Sequence, residues 1–486
     1  MNETTGTPPG LADVASDGGL IQSERPPGAA KGLSKGALSW IFHQGSRDAY
    51  VVLITIYIFA PYFSRVLVGD PVKGQATMAD IATAFGLLTA LTAPLLGASI
   101  ERYGPRKPFM IGILAIMLPL LMLLWLAQPN DGPSVALVGL VLIVLGVSYN
   151  WGDVLNNSLL SRAAEPGQEP LVSGLGYAMA NGLSVSLLIF MMWAFVLPGA
   201  VDWPGVPAAP LFGLPTSNHE PARLSGPMAA GVMLLGAIPF LLWTRDAPRT
   251  GLSMVASLRH GARLLLDTLS NLKGHRDVAT FLGTRMLYCD GMTALLVFSG
   301  LFAAGLMGWG ELEMLAYGIC LSIFGVLGGF LAPWLDKTLG PRRAVQLEIF
   351  GCLIVLISAL GMGRDRILYF WSYDAAAHGP LWNGPLFRTL PEVLYLGLGM
   401  LIAVFVTAQY ASSRTLLVRL APPDRIAAFF GLFALSGTAT VWLGSLLVAL
   451  ATRIFQSQVA GFVPIVGLLL LGALGLFFVK GGEREA

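Results

Sequence analysis

The stretch "FMIGILAIMLPLLMLLWLA", Phe109–Ala127, is nineteen residues long and carries no charge. "IVGLLLLGALGLFFV", Ile465–Val479, is of the same kind. Roughly 20 such residues cross the hydrocarbon core of a bilayer as a helix. Lipid offers the backbone no hydrogen bonds, so each peptide group must find its partner inside the segment or in a closed barrel. Runs of this length recur through all 486 residues, which points to an all-α polytopic membrane protein. Only 12% of the residues are charged, against about a quarter in soluble domains.

The near-neutral net charge of +2 argues against nucleic acid as a partner. Cys289, Cys320 and Cys352 lie inside apolar segments without CxxC spacing or neighbouring histidines, and read as packing residues. No metal site or cofactor is indicated. Residues 1–34 have the Gly, Pro, Ser and charge content of a disordered tail. They lack the basic start and apolar core of a signal peptide.

Breakers divide the apolar runs into about twelve spans. The first six are Lys35–Phe63, Gln75–Ile100, Pro108–Leu126, Ser134–Leu160, Leu171–Leu197 and Gly226–Trp243. The second six are Asp277–Leu306, Leu312–Trp334, Arg343–Met362, Pro391–Val418, Arg425–Ala451 and Val459–Val479. The expected organisation is a tail (1–34), a six-helix bundle (35–244), a basic linker (245–276), a second bundle (277–480) and a short tail (481–486). With both termini in the cytoplasm, about 20 of the 30 Lys and Arg residues fall inside and about seven outside. That distribution predicts a multi-pass protein of the inner or plasma membrane.

The halves repeat. "GSRDAY" (Gly45–Tyr50) returns as "GTRMLY" (Gly283–Tyr288) at an offset of about 238 residues. "ERYGPRK" after the second span matches "DKTLGPRR" after the eighth at nearly that offset. "NSLLSRAAEP" and "RTLLVRLAPP" match at about 257, because the loop between spans 9 and 10 is longer than its counterpart. Two parallel six-helix repeats around a midplane site form a secondary-transporter architecture.

"GASIERYGPRKP" resembles the loop motif of the major facilitator superfamily, and "APWLDKTLGPRR" resembles its second copy with one residue inserted. Within that superfamily, "LSWIFHQGSRDAYVVLITIYIFAPYFSRVLVGDPVKG", "RMLYCDGMTAL" and "AQYASSRTLLVRLAPPDRIAAFFGLF" are similar to the Atg22-like, or UMF1, family. The resemblance implies the major facilitator fold, two pseudo-symmetric six-helix bundles with helices 1, 4, 7 and 10 around the central cavity, and a monomer suffices for it. It also implies amino-acid export. The family's first span carries a tryptophan-rich DWANS-like stretch where this chain has Gln44, Gly45, Ser46, Arg47 and Asp48, which changes the chemistry at the expected site.

An ionisable side chain deep in a span faces a cavity or a partner. The four cavity-lining spans contain Arg47, Asp48, Asp153, Arg285, Asp290 and Arg414. Helical spacing sets His43, Arg47 and Tyr50 on one face of span 1. Tyr149, Asn150, Asp153, Asn156 and Asn157 form a polar stripe on span 4, Arg285 and Tyr288 recur on span 7, and span 10 offers Gln409, Tyr410, Ser413 and Arg414. Two symmetry-related arginines, Arg47 and Arg285, suggest a clamp on a small anionic or zwitterionic solute, since guanidinium forks suit carboxylate and phosphate. The bland alternative is permanent ion pairing, of Arg47 with Asp153 and of Arg285 with Asp290 or Asp48. Asp153, Asp290, Asp48 and His43 are the candidates for proton coupling: a solute competing for an arginine frees its carboxylate to take a proton.

Gly97, Glu101, Arg102, Gly104, Arg106 and Lys107, with Asp336, Lys337, Gly340, Arg342 and Arg343, form the duplicated motif, read as a gate at the cytoplasmic helix ends. Within transport, an organophosphate or an amphipathic or lipid-linked anion is the rival solute. A membrane-embedded transferase is the rival class. It lacks support, because HExxH and P-loop motifs are absent from the chain.

Overall fold

The computed structural model describes residues 32–165, 168–251, 253, 256–259, 274–421, 429, 432–433, 436–437 and 440–480. The side chains of 98, 101, 102, 169 and 170 are not among them. Nearly all of the expected tail 1–34, the middle of the linker 245–276, the start of the eleventh span and the tail 481–486 therefore lie outside the described residues.

From Ser34 onward the chain is one compact, almost wholly helical unit. The first six long helices are α1 (Lys35–Ala49, prolonged by π-helical and α-helical turns to Leu67), α2 (Pro71–Tyr103), α3 (Lys107–Leu123), α4 (Val135–Ala163), α5 (Glu169–Met191, prolonged to Val196) and α6 (Glu220–Trp243). The second six are α7 (Arg276–Met307), α8 (Glu311–Leu339), α9 (Pro341–Leu360), α10 (Leu390–Leu420), α11 (Val441–Phe455) and α12 (Gln458–Gly475). Among the described residues, eleven helices are long and apolar enough to cross a bilayer, and α11 is a shorter apolar one.

The helix starts are written in the local sequence. Ser34, Asp70, Ser134 and Ser457 each accept a hydrogen bond from a backbone N–H of the first turn. Thr389 and Glu392 form a reciprocal capping box on α10. Proline occupies the first turn of α2, α3, α5, α6, α9 and α10, where its missing N–H costs nothing. Outward-facing Leu235, Phe330 and Ile354 are 63%, 75% and 66% exposed, as a lipid-facing surface requires.

The helices alternate in direction, so α1 begins and α12 ends on one face, here the tail face. Ser34 Oγ donates to the Ala163 carbonyl at the end of α4, and the Lys480 N–H to Asp277 at the start of α7. The opposite, loop face carries a two-stranded hairpin between α9 and α10, with Arg366 opposite Ser372.

Within the first six helices, α1 packs on α5 and α6, and α2 and α3 on α4. In the second six, α10 packs on α8 and α9, and α12 on α7 and α11. Two long seams join the halves, α2 against α11 and α5 against α8, and the far end of α1 packs on α7 between them. On the loop face the halves are tied together. Gln75 Nε2 donates to Thr452 Oγ1 (2.9 Å) and to the Gln458 carbonyl (3.0 Å). Asp80 pairs with Arg453, Arg65 donates to the Trp309 carbonyl, and His219 lies 3.8 Å from Glu311. On the tail face Arg414 reaches from α10 to the Tyr177 hydroxyl on α5 at 3.3 Å.

Candidate functional site

The first-half charges assemble around Arg47. Its Nη1 meets Asp153 Oδ1 at 2.8 Å, its Nη2 donates to the Tyr149 carbonyl at 3.0 Å, and its guanidinium lies 4.7 Å above the Tyr149 ring. Asn157 Nδ2 donates to the other oxygen of Asp153 at 2.9 Å. Tyr50 stacks obliquely on Tyr149, 4.9 Å between ring centres. Burial within this cluster is lopsided: the Arg47 side chain is 3% exposed and that of Asp153 43%. The arginine is sealed between α1 and α4, and the carboxylate faces open space.

The rest of the polar stripe is used for packing. Asn156 donates to Gln44 at 2.6 Å and accepts the Trp40 indole N–H on its carbonyl. Asn150 donates to Gly146 on its own helix. His43 is wholly buried and stacked on Phe240 of α6 at 4.2 Å, with both ring nitrogens unpartnered. Asp48 is half-buried one residue beyond Arg47.

Span 7 treats its arginine differently. Arg285 Nη1 donates to the Phe433 carbonyl and to Ser436 Oγ, both at 2.7 Å, and the guanidinium lies 3.5 Å over the Phe433 ring. It is 6% exposed, and among the described residues no carboxylate lies within ion-pair distance of it. Pairing of Arg285 with Asp290 or Asp48 is therefore not what the structure contains. Asp290 points instead into the α7–α11 contact, where its Oδ2 accepts the Gly444 N–H at 2.8 Å. Tyr288 is buried, its hydroxyl 2.9 Å from Ser413 Oγ, which also accepts from Gln409 Nε2 at 2.7 Å. Glu348 of α9, which the span-by-span reading passed over, is fully buried beside this group and accepts from Ser412 Oγ at 2.9 Å.

A cavity of about 960 Å³ lies between α5, α7, α8 and α10, closed at the loop face by Ile56 and Tyr57 at the far end of α1. Of the residues nominated from sequence, Arg285, Tyr410 and Arg414 line it. Arg47, Asp48, Tyr50, Tyr149, Asn150, Asp153, Asn157, Tyr288, Asp290 and Gln409 do not. The expectation that helices 1, 4, 7 and 10 supply the wall is thus corrected: α5 and α8 stand where α4 was expected. Arg47, 3% exposed and paired with Asp153, is turned toward α4 and not toward that space. Sequence reasoning missed Tyr177 and Asn181 on α5 and Ser322 on α8. Tyr177 and Asn181, four residues apart with Gly174 one turn earlier, were a legible polar stripe.

The duplicated motif works inside each half here. The backbone N–H groups of Arg106 and Lys107 donate to the two oxygens of Asp246 (2.9 and 3.1 Å), Arg106 Nε donates to Ser158, and Lys107 Nζ to the Leu241 carbonyl. Arg342 donates to the Val479 carbonyl at 2.7 Å. Gly104 and Gly340 turn the chain with φ of +107° and +80°, a region that glycine enters at no steric cost. Gly97 packs against Val154, and Asp336 is buried with one oxygen unpartnered. The side chains of Glu101 and Arg102 lie outside the described residues.

The sequence profile of the family described as "Vacuole effluxer Atg22 like" matches residues 161–485, two thirds of the chain. The chain belongs to this Atg22-like family. Autophagy-related protein 22 of Yarrowia lipolytica is 22% identical over 70% of the chain, and the match spans 55% of that relative. The Bacillus subtilis MFS-type transporter YxiO is 20% identical, covering 92% of this chain and 96% of its own. Among solved structures, the nucleoside transporter NupG superposes with a TM-score of 0.59 at 12% identity, covering 92% and 98% of the two chains. A peptide transporter POT does so with 0.58 at 15%, covering 94% and 96%. These likenesses make the fold of this Atg22-like protein that of a polytopic major facilitator transporter. Its relatives and neighbours are transporters and not enzymes.

Proposed function

We propose that this protein is a secondary transporter that moves an anionic or zwitterionic solute by alternating access, with Arg285 as the first arm of an anion site. The observation that carries the reading is a buried, cavity-lining guanidinium with no carboxylate partner among the described residues. Such a group in a membrane interior is costly unless a counter-charge arrives. Arg414, at the cavity's tail-face end, lies on the route by which an anion would reach it.

Arg47 is the second arm, held in reserve by Asp153 in this conformation. As the halves close around the solute, Arg47 turns to the anion and Asp153, already facing open space, takes a proton. Coupling then follows from exchange of partners. The distribution of Lys and Arg supports a cytoplasmic tail face in an inner or plasma membrane, with the duplicated motif closing that face in the opposite state. Residues 35–244 and 277–480 are the two rocking bundles. Amino acids are the solute class that family membership suggests, and an organophosphate is the alternative that two arginines would also serve.

The test is a thermal-stability screen of purified protein against amino acids, organic acids and phosphate esters, with Arg285→Ala and Arg47→Ala in parallel. Stabilisation by one anionic class, abolished by Arg285→Ala and weakened by Arg47→Ala, is expected. Stabilisation that survives both substitutions would remove the arginines from the site.

A further inference from the structure

Building on that transport reading, we infer that the solute is a single-chain amphiphile with one acidic head, carboxylate or phosphate, entering from the bilayer between α5 and α8. The cavity separates polarity along its length. Tyr57, Phe302, Tyr317, Tyr395 and Phe462 gather at its closed loop-face end. Its two guanidiniums, Arg285 and Arg414, sit toward the tail face. Seventeen residues separate Arg285 from Phe302 on α7, roughly 25 Å of helix rise, most of the ~30 Å hydrocarbon thickness. A free amino acid with its charge at Arg285 would leave the aromatic end unfilled. A single acyl chain would fill it. The volume of about 960 Å³ lies at the upper end of ordinary small-molecule pockets, ~300–1,000 Å³.

The two seams between the halves differ in a way that provides the entrance. Along α2 and α11 the contact is tight: a Cβ at Gly86, midway along α2, would stand 3.1 Å from the Trp442 Cα. Along α5 and α8 the cavity wall includes Gly174 and Gly329, in the tail-facing halves of the helices, and Gly325 at the middle of α8. A Cβ at Gly174 or Gly329 meets no atom within 4 Å. Tyr177 and Asn181 are exposed beside this gap. A lipid in the tail-face leaflet can thus slide its chain through the gap while its head stays level with Arg414 and then Arg285. Arg285, nine-tenths buried and bonded through Nη1 to a carbonyl and a hydroxyl, with no carboxylate partner among the described residues, is the charge that the head would neutralise.

The full-length protein in proteoliposomes distinguishes the possibilities. Probes are fluorescent oleate and fluorescent lysophosphatidate for the two heads, with leucine, glutamate and glucose 6-phosphate as soluble solutes. Amphiphile binding is expected to weaken at least tenfold in Arg285→Ala. Gly329→Trp, a seam plug at a position with empty space before it, is expected to cut amphiphile transport at least tenfold while leaving the unliganded melting temperature unchanged. Should Gly329→Trp fail to fold, Gly174→Phe plugs the facing helix. If one head alone binds, it names the headgroup and supports the inference. Soluble anions that bind through Arg285 while both amphiphiles fail would overturn the inference and leave the transport reading intact. Amphiphile binding indifferent to Arg285→Ala, or transport indifferent to the seam plugs, would also overturn it. If neither class binds or moves, the transport reading falls with it.

Discussion

Arg47 and Asp153 form an ion pair whose two ends live in different media, and this makes the cost of removing each end unequal. Deleting one partner of a buried pair costs about 3–5 kcal/mol, because an uncompensated charge is left behind. Asp153→Asn leaves Arg47, 3% exposed, in that position, so a loss of about 3 kcal/mol is expected. Arg47→Met leaves a carboxylate whose side chain is 43% exposed, and water can take over its solvation, so the loss should stay near 1 kcal/mol. The double variant should recover most of the Asp153→Asn loss. Denaturation midpoints in detergent for the four proteins check this, and equal losses from both single variants would contradict it. The pairing was readable from sequence as one of two options, since Asp153 sits on a polar stripe at helical spacing. The surroundings of Arg285 were not. Its acceptors are a carbonyl at Phe433 and a hydroxyl at Ser436, 148 and 151 residues away, and no spacing rule points to a backbone acceptor.

Helix packing here is set by glycines whose neighbours in sequence behave oppositely. A Cβ at Gly328 of α8 would lie 2.9 Å from Thr407 Cβ and closer still to the Val404 carbonyl on α10, whereas one at Gly329 meets nothing within 4 Å. Gly328→Leu should therefore force α8 from α10 at a cost of about 1–3 kcal/mol, and Gly329→Leu should leave stability within about 0.5 kcal/mol. Thermal melts of the two proteins decide it, and a matched loss would show that close approach is not what Gly328 provides. The spans themselves were legible because hydrocarbon thickness demands a fixed apolar length. Which glycine of a pair faces a neighbouring helix depends on rotation about the helix axis, and α8 is apolar around its whole circumference.

At the scale of the molecule, one face is tied and the other is held lightly. The Asp80–Arg453 pair is exposed and worth up to about 1 kcal/mol, about fivefold in the balance between loop-closed and loop-open states. The Gln75 bonds to Thr452 and Gln458 are buried, so Gln75→Leu, which removes both, should shift the balance further than Asp80→Ala. Distance distributions between spin labels on either side of the loop face would register both shifts, and an unchanged distribution in Gln75→Leu would remove this latch from the account. The repeat made the two-bundle plan legible. It could not tell which face is closed, because the same repeat builds both faces and a few contacts choose between them.

The stretch Tyr50–Tyr57 of α1 is wound as a π-helix, and Ile58 breaks the regular backbone just beyond it. Arg47 lies before this stretch, and Ile56 and Tyr57, which floor the cavity, lie at its end. A wider winding holds more chain in each turn than an α-helix does, so it acts as a coil of spare length. Gly318 of α8 lies against the Tyr57 ring, where a Cβ would stand 3.0 Å from it. Rewinding to α geometry would push the tip of α1 outward and rotate Tyr57 away from Gly318, leaving Arg47 where it is. One helix can thus keep its ion pair fixed while its far end works as a screw-driven stopper.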